Sequence, residues 1–403
     1  MVKMEIKRNI YGQLADDLNR PEVSIILGPR QVGKTFLLKE LENDARTRGL
    51  RTQYYNLELP RDLLEFNKDD QGLFRMLTDD LDVVFIDEFH YLPNASRIFK
   101  AVFDGGAKTK IVATGSSSTE MHKHLKESLA GRRLAVRLMP LSFAEYSQMG
   151  ADRQALLAGY LIFGGLPGLI HYDAPGEKIR ILNEILETYI QKDVKALIRE
   201  ENIRAFNSLL YLLADRQGAV ISVNGLANDI GLTARTVERH LSILEQTYVL
   251  HSVGSYSRNI GNELKKSRKF YFYDLGIRNA LLRDFSKPDA RGDIGSIHES
   301  FAALQLIPRL KPNMELKFWR NKAGQEIDFV LLKNRRPFLI EVKTTLHTPE
   351  VPTAMKIFMK HYPETAGGIV YSTDLDADAD YLGKRVAFRK LESLADDNMD
   401  AWW

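Results

Sequence analysis

One octapeptide, GPRQVGKT at residues 28–35, constrains this chain more than any other segment, because it fits the pattern GxxxxGK[ST]. It follows the apolar run at 24–27 and precedes FLLKELEN, whose spacing is helical. The pattern works only where strand, tight turn and helix follow one another, so a parallel α/β layer is expected around it. A phosphate chain needs backbone N–H groups aimed inward from such a loop, together with the positive end of a helix. Gly28 and Gly33 allow the close backbone approach, and Pro29, Arg30, Gln31 and Val32 complete the cradle. Lys34 is placed to reach the β and γ phosphates of ATP, and Thr35 to ligate Mg²⁺. A second apolar run, VVFIDE at 83–88, ends in two carboxylates. Buried parallel strands read as continuous apolar runs, and functional groups project from their carboxyl ends. Asp87 is therefore expected at the Mg²⁺ and its water shell, and Glu88 beside the water that attacks the γ phosphate.

The 403 residues suffice for two or three domains. With 44% apolar and 27% charged residues, the composition is that of a globular protein, and no run approaches the ~20 apolar residues of a membrane helix. The start, MVKMEIKRNI, has no apolar stretch of signal-peptide length, so a cytoplasmic location is expected. The absence of cysteine excludes disulfides, thiolate catalysis and cysteine-ligated metals. A net charge of +3 permits nucleic-acid binding without arguing for it.

Along residues 1–145, short apolar runs at 24–27, 52–58, 83–86, 110–116 and 133–138 alternate with amphipathic stretches, the mark of one nucleotide-binding domain. The fourth run leads into TGSSS, where Ser116 is either a sensor of the γ phosphate or part of an ordinary turn. Arg132, followed by Arg133, either offers a guanidinium to a neighbouring subunit's ATP or lies solvated at a turn. Residues 146–202 read as a helical lid broken by FGGLPGLI at 163–170. Within 203–285, ISVNGLANDI, a turn at Gly231 and a helix capped by Thr233 form a helix-turn-helix pattern. Two strand-like runs complete a winged helix whose wing carries Arg258, Lys265, Lys266, Arg268 and Lys269. Arg235, Arg239 and His240 are then expected at DNA and the wing at phosphates, although Glu238 and Glu245 suit a protein-packing module equally.

Residues 286–403 hold Asp328, Glu341 and Lys343 in the order D-x12-E-x-K. Glu341 and Lys343 fall on one strand face. Asp328 and Glu341 suit Mg²⁺ or Mn²⁺, Lys343 suits a water or phosphoryl group, and Glu299 joins them if its helix packs beside the strands. An alternating surface hairpin is the competing reading.

Together, GPRQVGKT, VVFIDE, TGSSS, LAGRR, PLSFAEY, GGLP and GQEIDFV…IEVK resemble the prokaryotic AAA+-like ATPases that carry a winged helix and a C-terminal domain of the PD-(D/E)xK nuclease superfamily. The resemblance implies an α/β fold: a P-loop, AAA+-like parallel-sheet core, a helical lid, a winged helix and a nuclease-like α/β domain. It also implies ATP roles for Gly33, Lys34, Thr35, Asp87 and Glu88, a sensor role for Ser116 and a finger role for Arg132. Glu299, Asp328, Glu341 and Lys343 match the nuclease pattern. The function expected is an ATP-hydrolysing, homo-oligomeric DNA-processing protein that couples the ATPase to metal-dependent cutting by the nuclease-like domain and acts on structured or branched DNA. The alternative is an ATP-dependent switch that binds a protein partner, with an inert nuclease-like domain.

Overall fold

The five apolar runs of the first third of the chain become five parallel strands of one sheet. They are β1 (Val23–Gly28), β2 (Thr52–Asn56), β3 (Val83–Asp87), β4 (Lys110–Ser116) and β5 (Arg133–Arg137), in the spatial order β2-β3-β4-β1-β5. Parallel neighbours need long crossovers, which the helices Lys34–Thr47, Asp70–Thr78 and Ala95–Asp104 supply. Helices on both faces explain why every residue of β1 and β3 is buried. Ile25, Leu27, Val84, Ile86 and Ala113 form the sheet side of a core that Phe89, Ile98, Phe99 and Val102 cover. Because all five strands run the same way, Gly28, Asp87 and Ser116 reach one edge of the sheet.

This computed structural model describes residues 5–92, 94–116, 129–188, 190, 203–257 and 268–403. They fall into two units, the first taking in the chain up to Leu141 with Leu166–Ile170 and Gln246–Tyr248. The second holds Ser142–Gly165, His171–Glu245 and Val249–Trp403. Among the described residues no helix is long and apolar enough to cross a membrane.

The second unit is built on a mixed sheet of eight strands: β6 (Leu250–Ser255), β7 (Arg268–Phe272), β8 (Met314–Arg320), β9 (Glu326–Lys333), β10 (Arg336–Val342), β11 (Gly368–Ser372), β12 (Ala377–Tyr381) and β13 (Lys384–Lys390). Their order is β12-β13-β11-β10-β9-β8-β6-β7. The hairpin β6–β7, expected in a separate domain ending at 285, thus continues the C-terminal sheet through parallel pairing of Gly254 and Ser255 with Lys317 and Phe318. Before the hairpin come the helices Ile203–Asp215, Val223–Ile230 and Ala234–Gln246. The Ser222 hydroxyl caps the second by accepting from the Gly225 amide at 3.0 Å, and Gly231, at φ 71°, ends it in the left-handed region that glycine adopts without strain. Strand β10 is buried from Pro337 to Val342, so it is an interior strand and not the alternating surface hairpin that was the competing reading. At the chain's end, Trp402 stacks on Phe338 with centroids 5.0 Å apart, and the Trp403 indole donates to the Arg336 carbonyl at 3.1 Å.

The glycines of FGGLPGLI accommodate a buried carboxylate. Asp274 accepts from the amides of Gly165 (2.8 Å) and Ile277 (3.1 Å), and a Cβ on Gly164 would lie 2.1 Å from it. Burial pushes the Asp274 pKa up to about 6 against those amide bonds. The folded chain therefore takes a proton that the unfolded chain accepts only near its ordinary 3.8. The stability contributed by this proton is full below about pH 4 and is lost as the pH rises through about 6. The stability gap between wild type and Asp274→Asn is accordingly expected to widen as the pH falls from 7 to 5, as read by urea unfolding. A gap independent of pH would contradict it.

Candidate functional site

Strand β1 ends at Gly28, and the helix Lys34–Thr47 starts six residues later. Gly28 cannot carry a side chain, since a Cβ there would lie 2.1 Å from the Leu138 carbonyl oxygen. The turn bends through left-handed residues at Gln31 (φ 63°) and Gly33 (φ 89°). Pro29 and Val32 are buried beneath it, while Arg30 and Gln31 are exposed. The buried Arg8 guanidinium fastens the loop from below, donating to the carbonyls of Val32 (2.8 Å) and Met139 (2.7 Å). Pro167 also borders it, with its Cγ 3.7 Å from where a Gly33 Cβ would stand. Lys34 is 5% exposed, and its ammonium donates to the carbonyls of Pro29 (2.8 Å) and Gly28 (3.1 Å). Burial lowers its pKa, and the carboxylates of Glu88 and Asp87 oppose that shift. Thr35, next along the helix, is partly exposed. A glycine-framed turn opening a fourteen-residue helix, with a lysine ammonium at its base, fits the phosphates of ATP.

Pairing of Ile86 with Ala113 brings Thr114 of β4 beside Asp87 of β3. The buried Thr114 hydroxyl donates to Asp87 Oδ1 and accepts from the Glu88 amide at 3.2 Å. Tyr54 of β2 donates to Asp87 Oδ2 at 3.0 Å, and burial, followed by the Asp87 charge, holds its phenol well above the usual tyrosine range. Asp87 is thus oriented on both oxygens, and its remaining lone pairs suit a Mg²⁺ ion or its water shell. Glu88 is left-handed at φ 52°, a strained conformation for a non-glycine residue and one that recurs at functional sites. Its Oε2 lies 3.0 Å from His90 Nδ1. The backbone of Ser116 pairs with Gly28, but its side chain lies outside the described residues. Thr114, two residues before Ser116 on the same strand face, is a polar neighbour of Asp87 that the TGSSS pattern does not single out. Tyr54, His90 and Arg8 were also missed, since only strand order and packing bring them here.

Arg132 stands at the other end of the sheet. Its carbonyl accepts from the amide of Val23, the first residue of β1, so five residue rises, or about 17 Å, separate it from Gly28. Its guanidinium pairs with Asp104 at 2.6 Å.

In the second unit the residues of the D-x12-E-x-K pattern do meet. Asp328 of β9 and Glu341 of β10 lie one rung beyond the Phe329–Ile340 pair. The Asp328 amide donates to Glu341 Oε2 (3.3 Å), and the Val342 amide donates to Asp328 Oδ2 (2.8 Å). Lys343 reaches Glu341 Oε1 at 2.5 Å. Glu299 joins them from the helix Ile294–Leu306, which is buried on nearly all sides. Burial pushes the carboxyls of Glu299 and Glu341 above the usual range, against the pull of Lys269 and Lys343 respectively.

Lys269, assigned from sequence to a DNA-facing wing, proves to belong to this cluster. It is 0% exposed, and its ammonium lies 2.6 Å from Glu326, 2.8 Å from Glu299 and 3.9 Å from Asp328. Tyr271 donates to the same Glu299 oxygen at 2.6 Å. Burial alone would lower the lysine's pKa, but the surrounding carboxylates raise it above the ordinary value. Among the described residues, no group of three or more acidic or histidine side chains is arranged to hold a metal ion. The place a divalent ion would take among these carboxylates is filled by the Lys269 ammonium, an arrangement that does not fit the Mg²⁺ or Mn²⁺ expected there.

The other wing cation described, Arg268, pairs with Glu238 and lies 3.8 Å from Glu245. Arg258, Lys265 and Lys266 lie outside the described residues. His240 is fully buried against Phe206, which corrects its expected place at DNA, whereas Arg235 and Arg239 are exposed.

Residues 20–147 match the model of an AAA domain. Two domains of unknown function, DUF8612 and DUF4143, match residues 154–288 and 294–387. An uncharacterized protein of Mycobacterium tuberculosis is 26% identical over 355 residues, which cover 87% of this chain and 76% of that one. One from Methanocaldococcus jannaschii is 24% identical over 370 residues, 84% and 78% of the two chains. Among solved structures, the replication initiator DnaA bound to AMPPCP and single-stranded DNA is 14% identical, with a TM-score of 0.33 over 61% of this chain and 90% of that one. The ORC1 protein of Aeropyrum pernix in complex with DNA is also 14% identical, with a TM-score of 0.28 over 70% and 93%. The AAA domain contains the loop, the Asp87–Glu88 pair and Thr114.

Proposed function

We propose that the AAA domain binds and hydrolyses ATP, and that the chain contacts DNA through the helix Ala234–Gln246. The observation that carries the first part is Thr114, which ties Asp87 and Glu88 together at the sheet edge where the loop 28–35 opens. The loop amides and Lys34 hold the phosphates, and Thr35 and Asp87 hold Mg²⁺. When bound, Mg²⁺ neutralises charge on the β and γ phosphates. Glu88 orients a water and accepts its proton as the water oxygen bonds to the γ phosphorus. The bond from that phosphorus to the β–γ bridging oxygen breaks, and ADP leaves with the electron pair. Arg132, remote from its own loop, serves only a neighbouring copy, which makes the hydrolysing form a homo-oligomer. A monomer with full activity would remove that element.

DNA contact is supported by the exposed Arg235 and Arg239, which lie on the helix after the Gly231 turn. Metal-dependent cleavage is not part of this reading, because the cluster around Asp328 and Glu341 does not fit a metal. The test is ATPase stimulation and fluorescence anisotropy with single-stranded, duplex, forked and four-way DNA. Arg235→Glu combined with Arg239→Glu is expected to weaken DNA binding roughly tenfold or more at about 0.1 M salt. If no DNA binds or stimulates the wild type, a switch acting on a protein partner becomes the better reading.

A further inference from the structure

We infer that Lys269 is a resident cation that takes the place of a divalent metal among Glu299, Glu326 and Asp328, so that the C-terminal unit holds its carboxylate cluster closed to metal ions. This is independent of ATP hydrolysis. The ammonium bonds two carboxylates at 2.6 and 2.8 Å and stands 3.9 Å from the third, with the Phe318 ring centroid 5.5 Å away. Those separations suit N–H···O contacts, whereas magnesium would need oxygens at about 2.0–2.1 Å. Lys269 brings one positive charge to Glu299, Glu326 and Asp328, and Lys343 brings a second to the neighbouring Glu341.

The backbone prevents the lysine from leaving easily. Lys269 sits in β7, paired with Val253 of β6, and its side chain is wholly enclosed. The preceding residue, Arg268, is tied to Glu238 and bridges to Ile221. A metal ion would have to expel a buried, paired ammonium while this strand stayed in the sheet, and breaking such a pair leaves uncompensated buried charge. Removing the side chain reverses the balance. Three carboxylates are then left facing the space that the ammonium filled, a donor set of the kind that binds Mn²⁺.

The test uses the full chain without nucleotide, titrated with MnCl2 and followed by electron paramagnetic resonance of free Mn²⁺. Wild type and Asp328→Asn are expected to give the same titration. Lys269→Met is expected to gain one Mn²⁺ per chain with a Kd of order 10⁻⁴ M or tighter, and Lys269→Met combined with Asp328→Asn to lose it. Circular dichroism establishes that the Lys269→Met chain is folded. If it is not, the wild-type and Asp328→Asn pair still decides. Mn²⁺ binding by the wild type that depends on Asp328 would overturn the inference, as would a folded Lys269→Met chain that gains no site.

Discussion

Replacing Glu88 by glutamine is expected to slow ATP hydrolysis by about 10²–10⁴-fold while leaving ATP binding within roughly threefold of wild type, the range that a positioned general base contributes. Glutamine keeps the length of the side chain and one oxygen, but it cannot take the proton of the attacking water. The backbone should hold its place, because the Glu88 amide donates to Thr114 whichever side chain is present. Single-turnover phosphate release measures the loss, and calorimetry with a non-hydrolysable ATP analogue measures binding. If the Glu88→Gln chain releases phosphate at more than about a third of the wild-type rate, the base is another group. His90, 3.0 Å from the Glu88 carboxylate, is then the first to test.

Replacing Lys34 by alanine is expected to act one step earlier, on binding. The ammonium is buried and donates to two loop carbonyls, so alanine removes both a phosphate contact and the group that braces Gly28 and Pro29. Charge-assisted hydrogen bonds are worth about 1.5–3 kcal/mol each, so a weakening of roughly 100-fold, near 2.7 kcal/mol, is a conservative expectation. Hydrolysis at subsaturating ATP falls with it. The two variants separate the roles: Lys34→Ala changes affinity, whereas Glu88→Gln changes rate at saturation. Lys34→Ala with near-normal affinity would mean that the loop at 28–35 is not the nucleotide site.

The parts legible in the sequence were those whose signal lies within a dozen residues. All five apolar runs of the first domain became strands, and GPRQVGKT became the strand–turn–helix that its spacing demands. Gly231 and Thr233 punctuated the helices at 223–246 for the same local reason, as Gly231 ends one in the left-handed region and the Thr233 hydroxyl accepts from the Thr236 amide at 3.2 Å in the first turn of the next. Errors arose where a side chain's partner is distant in the chain. Lys269 reads as a surface wing lysine because Lys265, Lys266 and Arg268 precede it, yet its carboxylate partners are 30 to 59 residues away. His240 lies among arginines in the sequence, but helical periodicity puts it on the buried face with Val237, Leu241 and Leu244.

By itself, then, the sequence determined that residues 1–145 hold a parallel α/β layer with a glycine-framed phosphate loop, because strand alternation, helix period and turn chemistry are properties of near neighbours. It also supplied Asp87, Asp328 and Glu341 as carboxylates at strand positions and Glu88 just past a strand end. Only the tertiary structure decided their company. Thr114 reaches Asp87 because β4 lies next to β3, and Lys269 reaches Glu299 because β6–β7 joins the C-terminal sheet. Strand order is settled by which apolar faces bury one another across the whole sheet, a sum that no short segment contains. The same sum enclosed an ammonium among the carboxylates where the pattern alone pointed to a metal.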